Sequence, residues 1–256
     1  MTWVESVSPS FTARHDESAT DDARHLLHSL ERTRTYLEGY FPRTPSELTL
    51  VLHGGPAGLI ASNPLMPLVW LATAPAARRY VIGWAGRSVM HMLEPGLLRE
   101  RASNGVGGDG SSQMLEYGAA CLYARRVVIA SNKDLARVMA PLRIRRELRW
   151  AWLLEGAARW FGGQTAHARP AIARRLREGG PPSFPPGPRD AALLGGTVID
   201  LLAREQGAQA AARFACRLHP QGPRAALSQA FGGRTLAHTE GAWRSHLSRL
   251  ASGPVP

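Results

Sequence analysis

Apolar positions along the first hundred residues follow two periods. Trp3–Val7 and Phe11–Arg14 read as short extended pieces around a Ser8-Pro9-Ser10 turn, and Leu48–His53 alternates as a strand before Gly54-Gly55-Pro56 turns the chain. Between them Ala23, Leu26, Leu27, Leu30, Tyr36, Leu37 and Tyr40 recur at helical steps, predicting a helix from about Thr20 to Tyr40. Its acidic start, Asp16 to Asp22, suits a helix N-terminus, and Pro42 and Pro45 end it. Pro64, Pro67 and Pro75 then mark an irregular stretch, and Tyr80–Trp84 with Ser88–Leu93 predicts a strand pair around Gly86. Residues 94–101 read as a turn or short helix. Residues 103–112, rich in Gly and Ser, predict the most flexible loop of the chain.

Beyond that loop the pattern turns helical. Helices are expected at about 113–130, 132–139 and 143–161, with Pro141 as a break, and at 171–178 behind Pro170. Residues 179–188 form a Gly/Pro-rich loop, and further helices are expected at about 190–205, 207–218, 223–231 and 239–251. The expected fold is α+β, a small N-terminal mixed sheet with a long helix followed by a mainly helical C-terminal half. Residues 1–112 and 113–256 are taken as the two parts of one domain spanning 1–256.

One stretch looks written for chemistry. Trp150, Leu153, Leu154, Ala157 and Phe161 line one helical face, and Glu155 interrupts this apolar run. An ionised carboxylate in that setting needs a partner, a metal or water. Gly156 weakens the helix by roughly 1 kcal/mol relative to Ala but lets another backbone come close. The pattern W-L-x-E-G-x-A-x-[WY], Trp152 to Trp160, resembles the second helix of gluzincin-type, peptidase MA-like zinc metallopeptidases. The resemblance implies that Glu155 corresponds to a third zinc ligand after an H-E-x-x-H helix. The order of strands and helices, including 196–207, 226–232 and 243–247 in the tail, is similar to that family over nearly the whole chain.

The resemblance implies two His at i and i+4 on one helical face, with a Glu as general base for a metal-bound water. The histidines stand at 15, 25, 28, 53, 91, 167, 219, 238 and 246, none four from another, and H-E-x-x-H does not occur. Two placements of the missing motif are open. In one, Lys133, Asp134 and Arg137 stand in the motif positions, Arg137 lying 18 residues before Glu155. In the other, favoured because the helix over 113–130 is apolar enough for the centre of the fold, Leu122–Arg126 does. Either register puts basic side chains where a cation would be repelled. Glu155 is then expected to pair with Arg126, Arg137, Arg149 or Arg159.

Other candidates carry less. His25, His28 and Glu31 share a stripe at three-residue steps, read as a solvated face. His167 closely follows the Glu155 helix and is a weak metal candidate beside Glu155 itself. His53 ends a strand without a nucleophile to serve. Ser111 and Ser112 lack a G-x-S-x-G elbow, and Gly105–Gly110 lacks a following G-K-[ST].

Composition narrows the classes. With 256 residues, 44% hydrophobic and 20% charged, the chain is globular rather than disordered. The net charge is +11, and Lys133 is the only lysine. Arginine is spread along the chain, which fits a GC-rich coding bias better than a dedicated anion site. Arginines from 137 to 177 interleave with Trp150, Trp152 and Trp160, but core spacing of these tryptophans argues against base stacking, so nucleic acid is the weakest partner class. Cys121 and Cys216 read as buried free thiols. No run approaches a membrane span and no leader is evident, so a cytoplasmic location is expected. The expected function is a catalytically degenerate metallopeptidase-like protein that binds a peptide or acidic protein. No cofactor is expected, unless zinc is held by residues distant in sequence. The alternatives are a metal-dependent hydrolase with a non-standard site and a basic nucleic-acid binder.

Overall fold

The computed structural model describes residues 3–78, 80–103, 109–135 and 140–252. The N-terminal part carries β1 (Trp3–Val7), β2 (Phe11–Asp16), α1 (Thr20–Glu38), β3 (Leu48–His53), α2 (Pro56–Ser62), α3 (Met66–Ala72) and α4 (Pro75–Arg78), then β4 (Gly83–Ala85), β5 (Val89–Leu93) and α5 (Pro95–Ser103). The strands form one sheet of order β1-β2-β3-β5-β4, in which β2, β3 and β5 run parallel and β1 and β4 run antiparallel at the edges. Period-two alternation puts Phe11, Ala13, Leu48, Leu50, Leu52, Met90 and Met92 in the core. The long helix lies against that face through Ala23, Leu26, Leu27, Leu30 and Leu37. Tyr36, placed on the same stripe by its spacing, is instead 46% exposed and packs on Tyr40.

The remainder is helical: α6 (Asp109–Glu116), α7 (Gly118–Ser131), α8 (Ala140–Arg149), α9 (Ala151–Phe161), α10 (Arg169–Arg177), α11 (Ala191–Gln206), α12 (Ala208–Ala215), α13 (Pro223–Ala230) and α14 (Leu236–Ser252). This is the expected α+β plan. Several boundaries differ. The single helix expected over 113–130 is two, because the chain turns at Tyr117 and Gly118 packs against Ile82. The helix expected over 143–161 is also two, broken at Trp150, whose buried ring anchors the junction. Residues 133–135 form a turn rather than the start of a helix, 136–139 lie outside the described residues, and the stretch read as irregular after Pro56 holds three short helices.

The centre of the fold is α7. Eleven of its fourteen residues are buried, and Tyr123 ties it to the sheet by an edge-on contact with Phe11 at 5.1 Å. Its other side meets α9, which is crossed in turn by α11. That crossing is closest at Gly156 and Gly195, where a Cβ on Gly156 would fall 2.4 Å from the Gly195 carbonyl carbon. The buried residues form one contiguous cluster from Phe11 to Leu247.

Candidate functional site

Glu155 sits on the side of α9 that faces α7, with its side chain 25% exposed. The residues of α7 that meet it are Gly118, Cys121, Leu122 and Arg125, a spacing of three and four that defines one helical face. Arg125 is the ion-pair partner: its Nε donates to Glu155 Oε1 at 2.6 Å, and its Nη2 donates to Glu147 Oε2 of α8 at 3.2 Å. One guanidinium therefore bridges carboxylates from two helices. Desolvation opposes its charge, but Glu155 and Glu147 outweigh that and raise its pKa. For Glu155, burial would raise the carboxyl, yet Arg125 and then Arg159 overcome it and hold the pKa below the usual glutamate value.

This corrects the expected partners of Glu155. Arg126 lies one 100° step further round α7 and donates its Nε to the Arg87 carbonyl at 2.7 Å. Arg149 is turned away, its guanidinium resting beside Gly222. Arg159 borders the Glu155 cavity and acts on it through space, while its Nη1 donates to Tyr80 O at 3.3 Å and Gln164 Oε1 at 2.5 Å. Arg137 lies outside the described residues. Of the two motif placements, the structure puts α7 opposite Glu155, with Cys121 and Arg125 as its i, i+4 pair, one residue earlier than the Leu122–Arg126 register.

The remaining candidates serve other purposes. Lys133 is exposed in the turn beyond α7. Asp134 accepts the backbone N–H of Leu218 at 2.7 Å, tying that turn to the segment after α12. Trp152 is a core side chain packed between Trp150 and Phe214. His167 is stacked on Tyr117 at 4.9 Å and bonded to Gln113 at 3.0 Å, apart from Glu155. Exposed His25 and His28 remain on the solvated face of α1, whereas Glu31 accepts from Ser8 Oγ and Ser10 N. His53 pairs with His91, Nε2 to Nδ1 at 3.0 Å, and His91 stacks on Trp84 at 4.5 Å. Burial lowers the pKa of both imidazoles. Ser112 is exposed, and Gly105–Gly108 fall outside the described residues.

Comparison with known proteins identifies no relative: no protein-family model, no curated protein and no solved structure matches the chain. The site is interpreted from its own chemistry. A tetrahedral zinc centre needs deprotonated or neutral N, S or O donors converging on one point. Here the face opposite Glu155 supplies a guanidinium and the Cys121 thiol, which burial pushes up to about 11, leaving it protonated at neutral pH. Among the described residues no three His, Cys, Asp or Glu side chains converge on one point. The donor set at Glu155 does not fit zinc.

The cavity over the ion pair is only about 20 Å³, bordered by Tyr80, Ile82 and Gly83 from the sheet side. It adjoins β4, the last strand of the sheet, whose outer side bonds no other strand among the described residues. Leu93 N donates to Ile82 O at 3.0 Å and Gly86 N donates to Val89 O at 2.8 Å. By the alternation of an antiparallel ladder, Ile82, Trp84 and Gly86 bond β5, and the N–H and C=O groups of Gly83 and Ala85 point to the open edge. Sequence inspection missed Arg125, Glu147, Cys121 and this edge. The four-residue step from Cys121 to Arg125 was the signal available.

Proposed function

We propose that this chain is a catalytically degenerate metallopeptidase-like protein that binds an extended peptide along β4, beside the Arg125–Glu155 pair. The observation that carries the reading is Arg125 itself. Its guanidinium engages Glu155, which the resemblance makes a third ligand, from the helix on which the resemblance would put the metal-binding imidazoles. A guanidinium is always protonated and has no acceptor, so it neither binds a cation nor activates water. The open groups of Gly83 and Ala85 support strand addition, in which main-chain hydrogen bonds give affinity and alternate side chains give selectivity. Arg125 and Arg159 balance Glu147 and Glu155, so recognition here rests on the main chain rather than on the charge of the peptide.

Two measurements test this. Metal analysis of untagged protein purified without chelator is expected to find no stoichiometric zinc; near-stoichiometric zinc lost in Glu155→Ala overturns the reading and favours a metal-dependent hydrolase. Ala85→Pro removes one outward N–H without touching the bonds to β5, so it is expected to weaken binding of extended peptides selected from a random library. Undiminished affinity in a folded Ala85→Pro protein rules out β4 as the docking edge.

A further inference from the structure

A cleft of about 840 Å³ lies away from β4, between α8, α12, α13 and the segment 216–222. Its walls carry Arg146, Arg149, Arg213 and Arg217, with Trp150 and Phe214 among its apolar residues. Arg146 and Arg149 stand three apart on α8 and so share a face; Arg213 and Arg217 stand four apart across the end of α12. Elsewhere some arginines are matched to carboxylates, as in Arg175–Asp190 or Arg99–Asp22, and others bond carbonyl oxygens, as Arg126 does. Among the described residues, Arg146, Arg149, Arg213 and Arg217 make no ion pair. Arg146 gives one hydrogen bond to the Asp134 carbonyl at 3.1 Å. The carboxylate bordering the cleft, Asp134, accepts the Leu218 N–H instead.

The local backbone makes room for this arrangement. Gly222 has φ +102°, a conformation that favours glycine, and a Cβ there would fall 2.2 Å from Arg149 Nη2 and push that guanidinium aside. Four guanidiniums without an ion-pair partner among the described residues, in one concave site, select a ligand with several anionic oxygens, since the planar fork matches phosphate geometry two bonds at a time. The volume lies within the range of small-molecule sites and exceeds what a lone phosphate fills. Phe214, half-buried, supplies aromatic surface beside the charge, with the buried Trp150 ring behind it.

We propose that this cleft binds a small molecule bearing several phosphates and a flat ring, for which a nucleoside triphosphate is the probe. Titration calorimetry of the full chain, in chelator to exclude metal bridging, would compare ATP and GTP with adenosine, inorganic tripolyphosphate and a twelve-nucleotide DNA strand. Saturable binding of a nucleoside triphosphate is expected, stronger than that of adenosine or tripolyphosphate. Charge-assisted bonds to phosphate predict a loss of about tenfold or more in each of Arg213→Glu and Arg217→Glu, both exposed positions whose folding is checked by melting temperature. Gly222→Ala, which displaces Arg149, is expected to weaken binding in the same direction. Failure of both nucleotides to bind overturns the proposal, as does binding indifferent to both charge reversals in folded protein. Equal binding of tripolyphosphate overturns the ring-bearing ligand. Tighter binding of the DNA strand than of either nucleotide, with a steep salt dependence, replaces the cleft with a nucleic-acid surface.

Discussion

Gly156→Ala sets two local rules against each other. Helix propensity alone predicts a gain of roughly 1 kcal/mol, because alanine in a helix interior loses less backbone entropy than glycine. The packing predicts the opposite. A Cβ at 156 falls 2.4 Å from the Gly195 carbonyl carbon, 2.5 Å from its oxygen and 2.9 Å from its Cα. Carbon pairs settle at about 3.5–4.0 Å, so α9 and α11 have to separate by about 1 Å at their closest point. All three contacts are backbone, so no side chain can swing aside. Overpacking of a core costs about 1–3 kcal/mol, and a backbone-to-backbone clash belongs at the upper end. Subtracting the propensity gain leaves a net loss of about 2 kcal/mol, or roughly 4–8 °C in melting temperature for a chain of this size. Gly241→Ala is the control, since Gly241 is also inside a helix but nothing lies within 4 Å of its Cβ position. There the propensity term acts alone, and a gain of about 0.5–1 kcal/mol is expected. Urea unfolding of both variants measures the two signs. Gly156→Ala at least as stable as the parent would refute the close crossing of α9 and α11.

Arg125→Ala leaves the Glu155 carboxylate in an apolar setting without its main partner; with both side chains about three-quarters buried, a loss of about 2–3 kcal/mol is expected by chemical denaturation. Arg125→Met combined with Glu155→Leu should recover most of it, and a double variant as unstable as the sum of its singles would contradict a closed ion pair. The folded pKa of Glu155 is below its ordinary value of 4.5, so its contribution is complete above that pH and disappears as pH falls through the folded value. Asp200 gives a second acid-labile link. Burial opposes its charge, but His246, Trp160 and Arg204 donate to it at 2.9, 3.0 and 2.8 Å and bring its pKa from 3.8 down to about 2. That shift corresponds to about 2 kcal/mol of stability present above roughly pH 4 and lost toward pH 2, which Asp200→Asn should remove from the acid limb of the profile. An unchanged acid limb in that variant would show that the carboxylate is not linked to folding.

The layout of the fold was legible because it rests on local periodicity. The alternation of Leu48–His53 and the helical spacing of Ala23 to Leu37 are set by which face meets the core, and the chain follows them. The close approach at Gly156 was legible for the same reason: a glycine amid helix formers marks a place where a side chain does not fit. The breaks at Tyr117 and Trp150 were not: Trp150 has no Gly or Pro beside it, and Gly118 stands in a run that otherwise reads as continuous helix; tertiary burial of Gly118 against Ile82 and of the Trp150 ring ends those helices. The partner of Glu155 was a choice among many arginines. Arg125 and Arg126 are adjacent in sequence but about 100° apart around α7, and only the depth of that helix in the fold decides which one turns toward α9. The arginine cleft was illegible for a different reason: its members come from α8, α12 and the segment after it, and scattered in sequence they resemble a compositional bias.

Under the proposed reading, Arg125 also explains how a metal-free site keeps the helix pairing that a metal would otherwise enforce. A largely buried carboxylate such as Glu155 must be neutralised or hydrogen-bonded, or α9 loses stability where it meets α7. A zinc ion does this with a point charge that draws donors from both helices. The guanidinium of Arg125 does it with a delocalised charge whose donors reach Glu155 on α9 and Glu147 on α8, so three helices remain clasped. What it lacks is a vacant coordination position at which a water could be held and acidified, the property on which metal-assisted hydrolysis depends. An arginine in place of an ion would, on that reading, preserve the electrostatics of folding while removing those of catalysis. On the same reading the glutamate beside Arg125 serves stability, whether or not any chemistry survives.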